Sequence, residues 1–550
     1  MQAHQQVVPV LGEPQHGLAA ALGRVAYALD LDRVDQPGLG AHALLAEYAE
    51  VVGLDLVAVD HLVAHALLAG SHVVLQHQLV GRLVHQAAVE REAHRLAAVV
   101  AQHLLLGPVE VQFDLLGLAQ AAAIEAVGQR QEGIAFHAQQ RQAIETAVTS
   151  GMTVITGGPG TGKTTTLNAI IKIMKANGKT VLLSAPTGRA AQRMSELTGD
   201  EAKTLHRLLE VSWDKHDNPV FNKNERNQLK CDALIVDEVS MVDAFIMESV
   251  MRALSTGCRL ILVGDSDQLP SVGPGNVLGD LIESGLIPVV RLNEIFRQAQ
   301  QSLIVTNAHK IVNGEIPILN SADKDFFFLQ RNNKSEVSAV IADLCANRLP
   351  KAYGYSPFEN IQVLAPSKKG ELGTAELNHK LQAALNPKDD DKAEITIGSK
   401  TFRTGDKVMQ IKNNYDIRWF RENGETGEGI FNGDIGIITK IDRKTKSLVV
   451  KFFDKIARYT FEFAGDLDFA YAITVHKSQG NEFDAVIIPM FSGPPQLYYR
   501  NLLYTAVTRA KKTLVLVGNP STVEYMVNNN RRTKRYSGLK EFLLRDDTLY

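Results

Sequence analysis

The sequence predicts an α/β protein built on doubly wound parallel sheets with a small β-rich insertion, and three features carry that prediction. Residues 157–166, GGPGTGKTTT, lie between an apolar run at 152–156 and a segment of helical periodicity at 167–174. Three further apolar runs, at 180–185, 233–236 and 259–263, each lead directly into polar residues, the pattern of buried parallel strands with a ligand edge. Between about 402 and 463 the βα rhythm gives way to short strands and turns.

The first feature has a direct chemical meaning. Gly157, Gly162, Lys163 and Thr164 fit G-x-x-x-x-G-K-[ST] without a gap. Glycines let the backbone curl so that several N–H groups face one anion, and the following helix adds partial positive charge. Gly158, Pro159, Gly160, Thr161, Gly162, Lys163, Thr164 and Thr165 are the expected nucleotide cradle. Lys163 is expected to reach the β/γ-phosphates of ATP, and the Thr164 hydroxyl to ligate Mg²⁺.

Composition sets the outer bounds. The chain is 45% hydrophobic, 22% charged and 6% aromatic, which is ordinary for a globular protein. A length of 550 residues allows three or four domains. There is no run of about 18 uninterrupted apolar residues, and the N-terminus lacks the basic start and apolar core of a secretory signal, so a cytoplasmic protein without a membrane span is expected. Cys231, Cys258 and Cys345 are far apart in sequence, are too few for an iron–sulfur cluster, and read as reduced thiols. With a net charge of −3, any nucleic-acid contact must come from local basic surface.

In chain order, residues 1–130 stand apart. Lysine is absent before Lys163, while eleven of the sixteen histidines fall at or before His137. Short helices are expected there, with no readable role; His61 and His65 have metal-ligand spacing but no obvious third ligand, which favours a surface or packed pair. A helix from about 136 leads into the first strand, and Gln140 on it has two readings, an adenine contact or a solvated helix residue. Thr187 and Arg189 follow the second strand, placed either to hold a nucleic-acid backbone or, for ordinary structural reasons, to cap a helix. Residues from about 210 to 230 read as a small hairpin-like insertion. Asp237 and Glu238 end the third strand, Asp237 to hold Mg²⁺ and Glu238 to orient and deprotonate the attacking water. Gln268, after the fourth strand, is placed to sense the γ-phosphate or that water. A second sheet begins near Phe326, with its first clear strand at 360–366. In the β-rich stretch, Asn432-Gly433 signals a hairpin.

The ordered set GGPGTGKTT, APTGRAA, TLHRLL, VDEVSMVD, GDSDQLPSVGPGN, LNEIFRQ, YAITVHKSQGNEFD and NLLYTAVTRAKK resembles the RecD-like 5′→3′ DNA helicases of superfamily 1B (RecD/TraA type), over roughly residues 135 to 520. The segment after Gln268, Leu269-Pro270-Ser271-Val272, lacks the aromatic usual in UvrD-like 3′→5′ relatives. This resemblance implies two RecA-like P-loop motor domains, at 131–325 and at 326–401 with 466–550, and an SH3-like barrel at 402–465. It implies that Arg297 and Arg509 stabilise charge on the transferring phosphoryl group, that Gln479 and Gly480 lie beside the nucleotide, and that Thr474, His476 and Lys477 lie near the DNA backbone. The same resemblance implies that Glu482 lies where nucleotide binding is communicated to the strand. Lys412, Asn413 and Asn414, with Tyr415 and Trp419, form a basic and aromatic group suited to single-strand contact; packing of Trp419 in the barrel is an equal reading.

The expected activity is ATP-dependent 5′→3′ DNA unwinding in recombination or repair, with ATP and Mg²⁺. Expected partners are single-stranded and forked DNA, with single-strand-binding protein or recombination nuclease subunits as candidates. Two rivals stand beside it: the helicase part of a conjugative relaxase, for which no histidine cluster or tyrosine pair is visible, and a DNA-stimulated ATPase that remodels protein–DNA complexes without unwinding.

Overall fold

The computed structural model describes residues 136–213, 219–320, 325–531 and 538–544, all in one unit, Glu92–Tyr550. Residues 1–130, with His61 and His65, and the basic residues Arg532, Lys534 and Arg535 lie outside the described residues. No helix among the described residues is long and apolar enough to cross a membrane.

Helix α1 (Ala138–Thr149) runs into strand β1 (Met152–Gly157), and the glycine loop joins β1 to α2 (Lys163–Ala176). Gly162 caps α2 at φ 80°, and a Cβ there would sit 2.5 Å from Gln140 Nε2. Only glycine meets both demands. There follow β2 (Val181–Ala185), α3 (Gly188–Thr198), β3 (Ala202–Thr204), an antiparallel hairpin of β4 (Val211–Trp213) and β5 (Pro219–Phe221), β6 (Ala233–Val236), α4 (Ala244–Ala253), β7 (Arg259–Gly264), α5 (Val277–Ser284) and β8 (Val289–Leu292).

Six of these strands form one parallel sheet in the order β3-β2-β6-β7-β1-β8. Alternate residues feed two separate cores: Val154, Leu234, Leu260 and Leu262 on one face, and Ile155, Ile235, Ile261 and Val263 on the other. Burial on both faces is why these strands read as unbroken apolar runs. Because β6, β7 and β1 are neighbours, the loops that follow them meet at one carboxyl edge.

Helix α6 (Leu303–Asn313) leads to a second parallel sheet, entered by β9 (Phe326–Gln330), α7 (Lys334–Asp343), β10 (Ile361–Ala365) and α8 (Thr374–Leu385). The chain then leaves this sheet. A hairpin, β11 (Glu394–Ile397) and β12 (Lys400–Arg403), precedes seven strands: β13 (Lys407–Gln410), β14 (Asn414–Phe420), β15 (Thr426–Ile430), β16 (Ile435–Asp442), β17 (Ser447–Phe452), β18 (Ile456–Thr460) and β19 (Leu467–Phe469). These pair antiparallel in the order β15-β14-β18-β17-β16-β13-β19 and enclose Phe402, Val408, Ile417, Trp419, Leu448 and Tyr459. The β-rich stretch thus begins near 394, because Ile395 and Ile397 of the leading hairpin pack on that core.

Two buried groups anchor the barrel. Asp406 accepts hydrogen bonds from Gln382 Nε2 and Asn386 Nδ2 (both 2.7 Å) and from the Tyr471 hydroxyl (2.9 Å). Lys407 Nζ donates to Ile361 O at the start of β10 (2.9 Å). Asn432-Gly433 does form a turn, with Gly433 at φ 98°, but not a hairpin: β15 and β16 are not neighbours. The turn is held instead by Asn413 Oδ1, which accepts from Asn432 N (2.9 Å), and by the bond from Gly433 N to Gln410 O (2.9 Å), so it redirects the chain across the sheet.

The second sheet resumes with β20 (Ala472–Thr474), β21 (Phe483–Met490), α9 (Arg500–Val507), β22 (Ala510–Gly518) and α10 (Pro520–Asn528). Its order is β20-β10-β21-β22-β9, parallel throughout.

Candidate functional site

The carboxyl edge of the first sheet opens into a cleft of about 480 Å³. Residues 158–165 line it from β1, Asp237 and Glu238 from β6, and Asp265 and Gln268 from β7. Gly160 (φ 73°) and Gly162 curl the loop backbone, and the Thr161 hydroxyl pins it by donating to Gly158 O (2.9 Å). Lys163 Nζ lies along the loop, donating to Gly157 O (2.6 Å) and Gly158 O (3.0 Å).

The acidic pair is held under strain. Glu238 adopts φ 54°, ψ 39°, a left-handed conformation that costs an ordinary residue about 1 kcal/mol. Its N–H donates to Asp237 Oδ1 (2.9 Å). Burial raises both carboxyl pKa values; the bond from Glu238 N–H opposes this most at Asp237, and the charge of Arg509 opposes it most at Glu238. The backbone therefore spends energy to aim two carboxyl groups into one cleft.

The opposite wall belongs to the second sheet, whose Glu482, Thr508 and Arg509 line the same cleft. Arg509 is 2% exposed, and its guanidinium donates to Thr505 O (3.3 Å), Asn481 O (3.2 Å) and Thr508 Oγ1 (3.2 Å). All three acceptors are neutral, so these bonds fix the fork and leave its charge available. Glu482 forms an ion pair with Arg193 of α3, a contact between the two lobes.

The loop after β7 is stitched to the second lobe by four hydrogen bonds. The Tyr504 hydroxyl donates to Asp265 Oδ2 (2.6 Å), which also accepts from Gln268 Nε2 (3.2 Å). Leu269 N donates to Thr505 Oγ1 (2.9 Å), Gln479 Nε2 to Leu269 O (2.7 Å), and Asn501 Nδ2 to Asp267 O (2.7 Å). Tyr504, Thr505 and Arg193 escaped the sequence reading. Tyr504 and Thr505 lie inside the YTAVTRA motif, and Arg193 is one helical turn beyond Arg189, so a helical-spacing argument from those motifs was the available signal.

Three expected nucleotide contacts fall elsewhere. Gln140 is neither in the cleft lining nor solvated: it is 3% exposed, its Oε1 accepts from His137 N (3.0 Å), and its Nε2 reaches Gly162 O (3.4 Å) behind the loop. Gln479 is spent on Leu269 O, and Gly480 (φ 72°) lies against Thr187, whose Oγ1 would be 2.6 Å from a Cβ at that position. Arg297 opens a short helical turn, Arg297–Gln300, but its side chain lies outside the described residues.

The residues expected to meet DNA fall in three places. Thr187 caps α3, its Oγ1 accepting from Ala190 N (3.2 Å), and Arg189 is exposed one residue into that helix. Thr474 caps a turn that carries His476 and Lys477, all half-buried. Burial lowers the Lys477 pKa; Asp468, itself paired with Lys400 at 2.9 Å, opposes that shift, and the charges of Lys368 and Lys400 add to it. In the barrel, Lys412 Nζ is 3.7 Å from Asp466, Asn414 Nδ2 donates to the same carboxylate (3.3 Å), and Asn413 holds the turn at Asn432. Trp419 packs in the barrel core, 9% exposed, with Lys455 Nζ 4.8 Å from the ring centroid, so packing decides between its two readings.

Among the described residues no group of three or more His, Cys, Asp or Glu could hold a metal by itself. A hydroxyl at Thr164 and a carboxylate at Asp237 in one cleft do fit a magnesium ion that completes its shell with phosphate oxygens and water. A glycine loop, an acidic pair and a second-lobe arginine around one cleft define the class of two-lobed P-loop NTPases.

Three family models match: an AAA domain over residues 140–274, the SH3 domain of ATP-dependent RecD-like DNA helicases over 377–452, and a UvrD-like helicase C-terminal domain over 469–517. The chain is 34% identical over 384 residues to the ATP-dependent RecD2 DNA helicase of Deinococcus radiodurans, covering 70% of this chain and 49% of that protein. It is 30% identical over 445 residues to the RecBCD enzyme subunit RecD of Mycobacterium tuberculosis, covering 73% and 72%. Thus the chain spans about half of the first relative and nearly three quarters of the second. Among solved structures, the Pif1 helicase from Bacteroides in complex with ADP-AlF3 and ssDNA matches 72% of this chain and 94% of that one, at 19% identity and a TM-score of 0.43. The chain belongs to the RecD-like family of superfamily 1 helicases.

Proposed function

We propose that this chain is an ATP-dependent DNA helicase that moves 5′→3′ along single-stranded DNA and separates duplex ahead of it, in recombination or repair. The observation that carries the proposal is the shared cleft, in which Lys163, Asp237 and Glu238 of one lobe face Arg509 of the other. In this reading the loop N–H groups and Lys163 hold the triphosphate, Glu238 receives the proton of the attacking water, and Gln268 orients that water. Bound magnesium, held by Thr164 and Asp237, would neutralise charge on the β- and γ-oxygens. Arg509 adds charge to the cleft only while the lobes are together, so loss of the γ-phosphate weakens their closure.

The strand is proposed to cross both lobes and the barrel, past Thr187, Arg189, Thr474, His476, Lys477 and the group at Lys412, Asn413 and Asn414. Separating one base-pair step costs on the order of 1.4 kcal/mol, well within what one hydrolysis event supplies. Strand displacement on 5′-tailed against 3′-tailed duplexes tests the proposal, with Lys163→Ala as the inactive control. Displacement of the 5′-tailed duplex alone is expected. ATP turnover without displacement favours a remodelling ATPase, and preference for the 3′ tail refutes the polarity.

A further inference from the structure

Two of the three cysteines, distant in sequence, are neighbours in the fold. Cys231 precedes β6 and Cys258 precedes β7, and those strands are hydrogen-bonded neighbours, with Ala233 opposite Arg259. Their sulfurs lie 3.2 Å apart, and both side chains touch the same core cluster. Cys258 is 2% exposed, whereas Cys231 is only half-buried. The pair sits at the amino ends of the strands whose carboxyl ends deliver Asp237 and Asp265, at the far side of the sheet from the cleft.

We propose that Cys231 and Cys258 form a reversible dithiol–disulfide pair, in which Cys231 meets the oxidant and Cys258 resolves it. Thiolate and exposure govern which cysteine reacts first. Cys231 has both advantages: the thiol of Cys258 hydrogen-bonds to it and lowers its pKa, while Cys258 is pushed up by the same contact and by burial. With hydrogen peroxide as oxidant, the Cys231 thiolate attacks one peroxide oxygen, the O–O bond breaks, and sulfenic acid forms with release of hydroxide, which takes up a proton as water. Cys258 sulfur then attacks the Cys231 sulfur, its proton leaves with the sulfenic oxygen as a second water, and the S–S bond forms. Two thiols are oxidised and one peroxide is reduced. Cys345 is an internal control, since burial raises its pKa to about 12. The bond would join positions 27 residues apart and staple two strands that are already paired.

The test is a peptide map of the full chain after brief exposure to hydrogen peroxide and alkylation, without reductant. The expected product links the Cys231 and Cys258 peptides, leaves Cys345 alkylatable and disappears with dithiothreitol. In Cys258→Ser a dimedone adduct is expected at Cys231, and Cys258→Ala repeats that test with an apolar side chain should serine unfold the core. The linked form is expected to melt roughly 5 °C higher than the reduced form. Full alkylation of both cysteines after peroxide, a linkage to Cys345, or no adduct at Cys231 in either folded variant would overturn the assignment. A midpoint unchanged or lowered by the linkage would overturn it as well.

Discussion

The two parallel sheets share an architecture and meet the cleft by opposite ends. In the first, the cleft residues follow the strands: Gly158 comes after β1, Asp237 after β6 and Asp265 after β7. In the second they precede them, Glu482 standing immediately before β21 and Arg509 immediately before β22. A carboxyl edge thus faces an amino edge. The carboxyl edge of a βα unit offers a helix N-terminus, the end that attracts an anion. The amino edge offers a helix C-terminus, where a cation is stabilised, and Arg509 does donate to Thr505 O in the last turn of α9. One sheet is built to receive a phosphate and the other to present a cation to it.

The largest expected effect separates those two duties. Lys163→Ala is expected to abolish turnover together with nucleotide binding. Arg509→Ala is expected to lower kcat by roughly 10³-fold or more while nucleotide still binds. Arg509→Lys should not rescue it, because an ammonium cannot hold three neutral oxygens with a planar fork and still face the cleft. Fluorescent-nucleotide titration beside steady-state ATPase decides the matter, and equal loss of binding in both variants would erase the division of labour.

Next in size is a pH effect at the same amino edge. Lys407 docks the barrel on Ile361 O, the first residue of β10, and burial lowers its pKa to about 7. The unfolded chain, with an ordinary lysine value, binds the proton more readily between pH 7 and about 10.5. Stability must therefore rise with pH across that window, by about 2 kcal/mol between pH 7 and pH 9 from this group. Lys407→Met should flatten that rise in urea unfolding, and an unchanged slope would mean that the ammonium carries no burial penalty.

A smaller effect is expected where the two edges are stitched. Tyr504→Phe removes one of two donors from Asp265 Oδ2 and leaves Gln268 as the other. Loss of a buried hydrogen bond of this kind costs about 1–3 kcal/mol. The prediction is a roughly tenfold lower kcat with little change in KM, since the loop that carries Gln268 loses a tether and the glycine loop does not. A variant that raised KM alone would place Tyr504 in ground-state binding instead.

What the sequence disclosed and what it withheld divide along the same line. Residues 157–166 and the pair Asp237-Glu238 are local patterns, each set by one strand and the turn after it, and the structure brings them together. Gln140, Gln479 and Tyr504 depend on what folds beside them. A glutamine in a helix carries no mark of whether its amide faces a ligand or, as at Gln140, the back of a glycine loop. Asn432-Gly433 shows the same limit in the barrel: turn chemistry is written in two residues, but which strands become neighbours is decided by the whole sheet. Cys231 and Cys258 could be paired only once β6 and β7 were known to be adjacent.

The smallest predicted effect asks whether the barrel belongs to the strand path at all. The Lys412 side chain is 74% exposed and its contact with Asp466 is long, at 3.7 Å. An exposed pair of this kind contributes about 0–1 kcal/mol, so Lys412→Ala should leave the fold intact. Each phosphate contact on a single strand adds about 0.7 to the slope of log affinity against log salt. Lys412→Ala should therefore reduce that slope by about 0.7 in oligonucleotide titrations. Arg418 on β14 provides the comparison, since it is 86% exposed on the same strand region and paired with Glu428 at 3.1 Å, yet was not among the expected contacts. Arg418→Ala should leave the slope where it was. If the two substitutions act alike, generic positive charge explains the binding, and the strand path through Lys412, Asn413 and Asn414 must be withdrawn while the cleft chemistry stands.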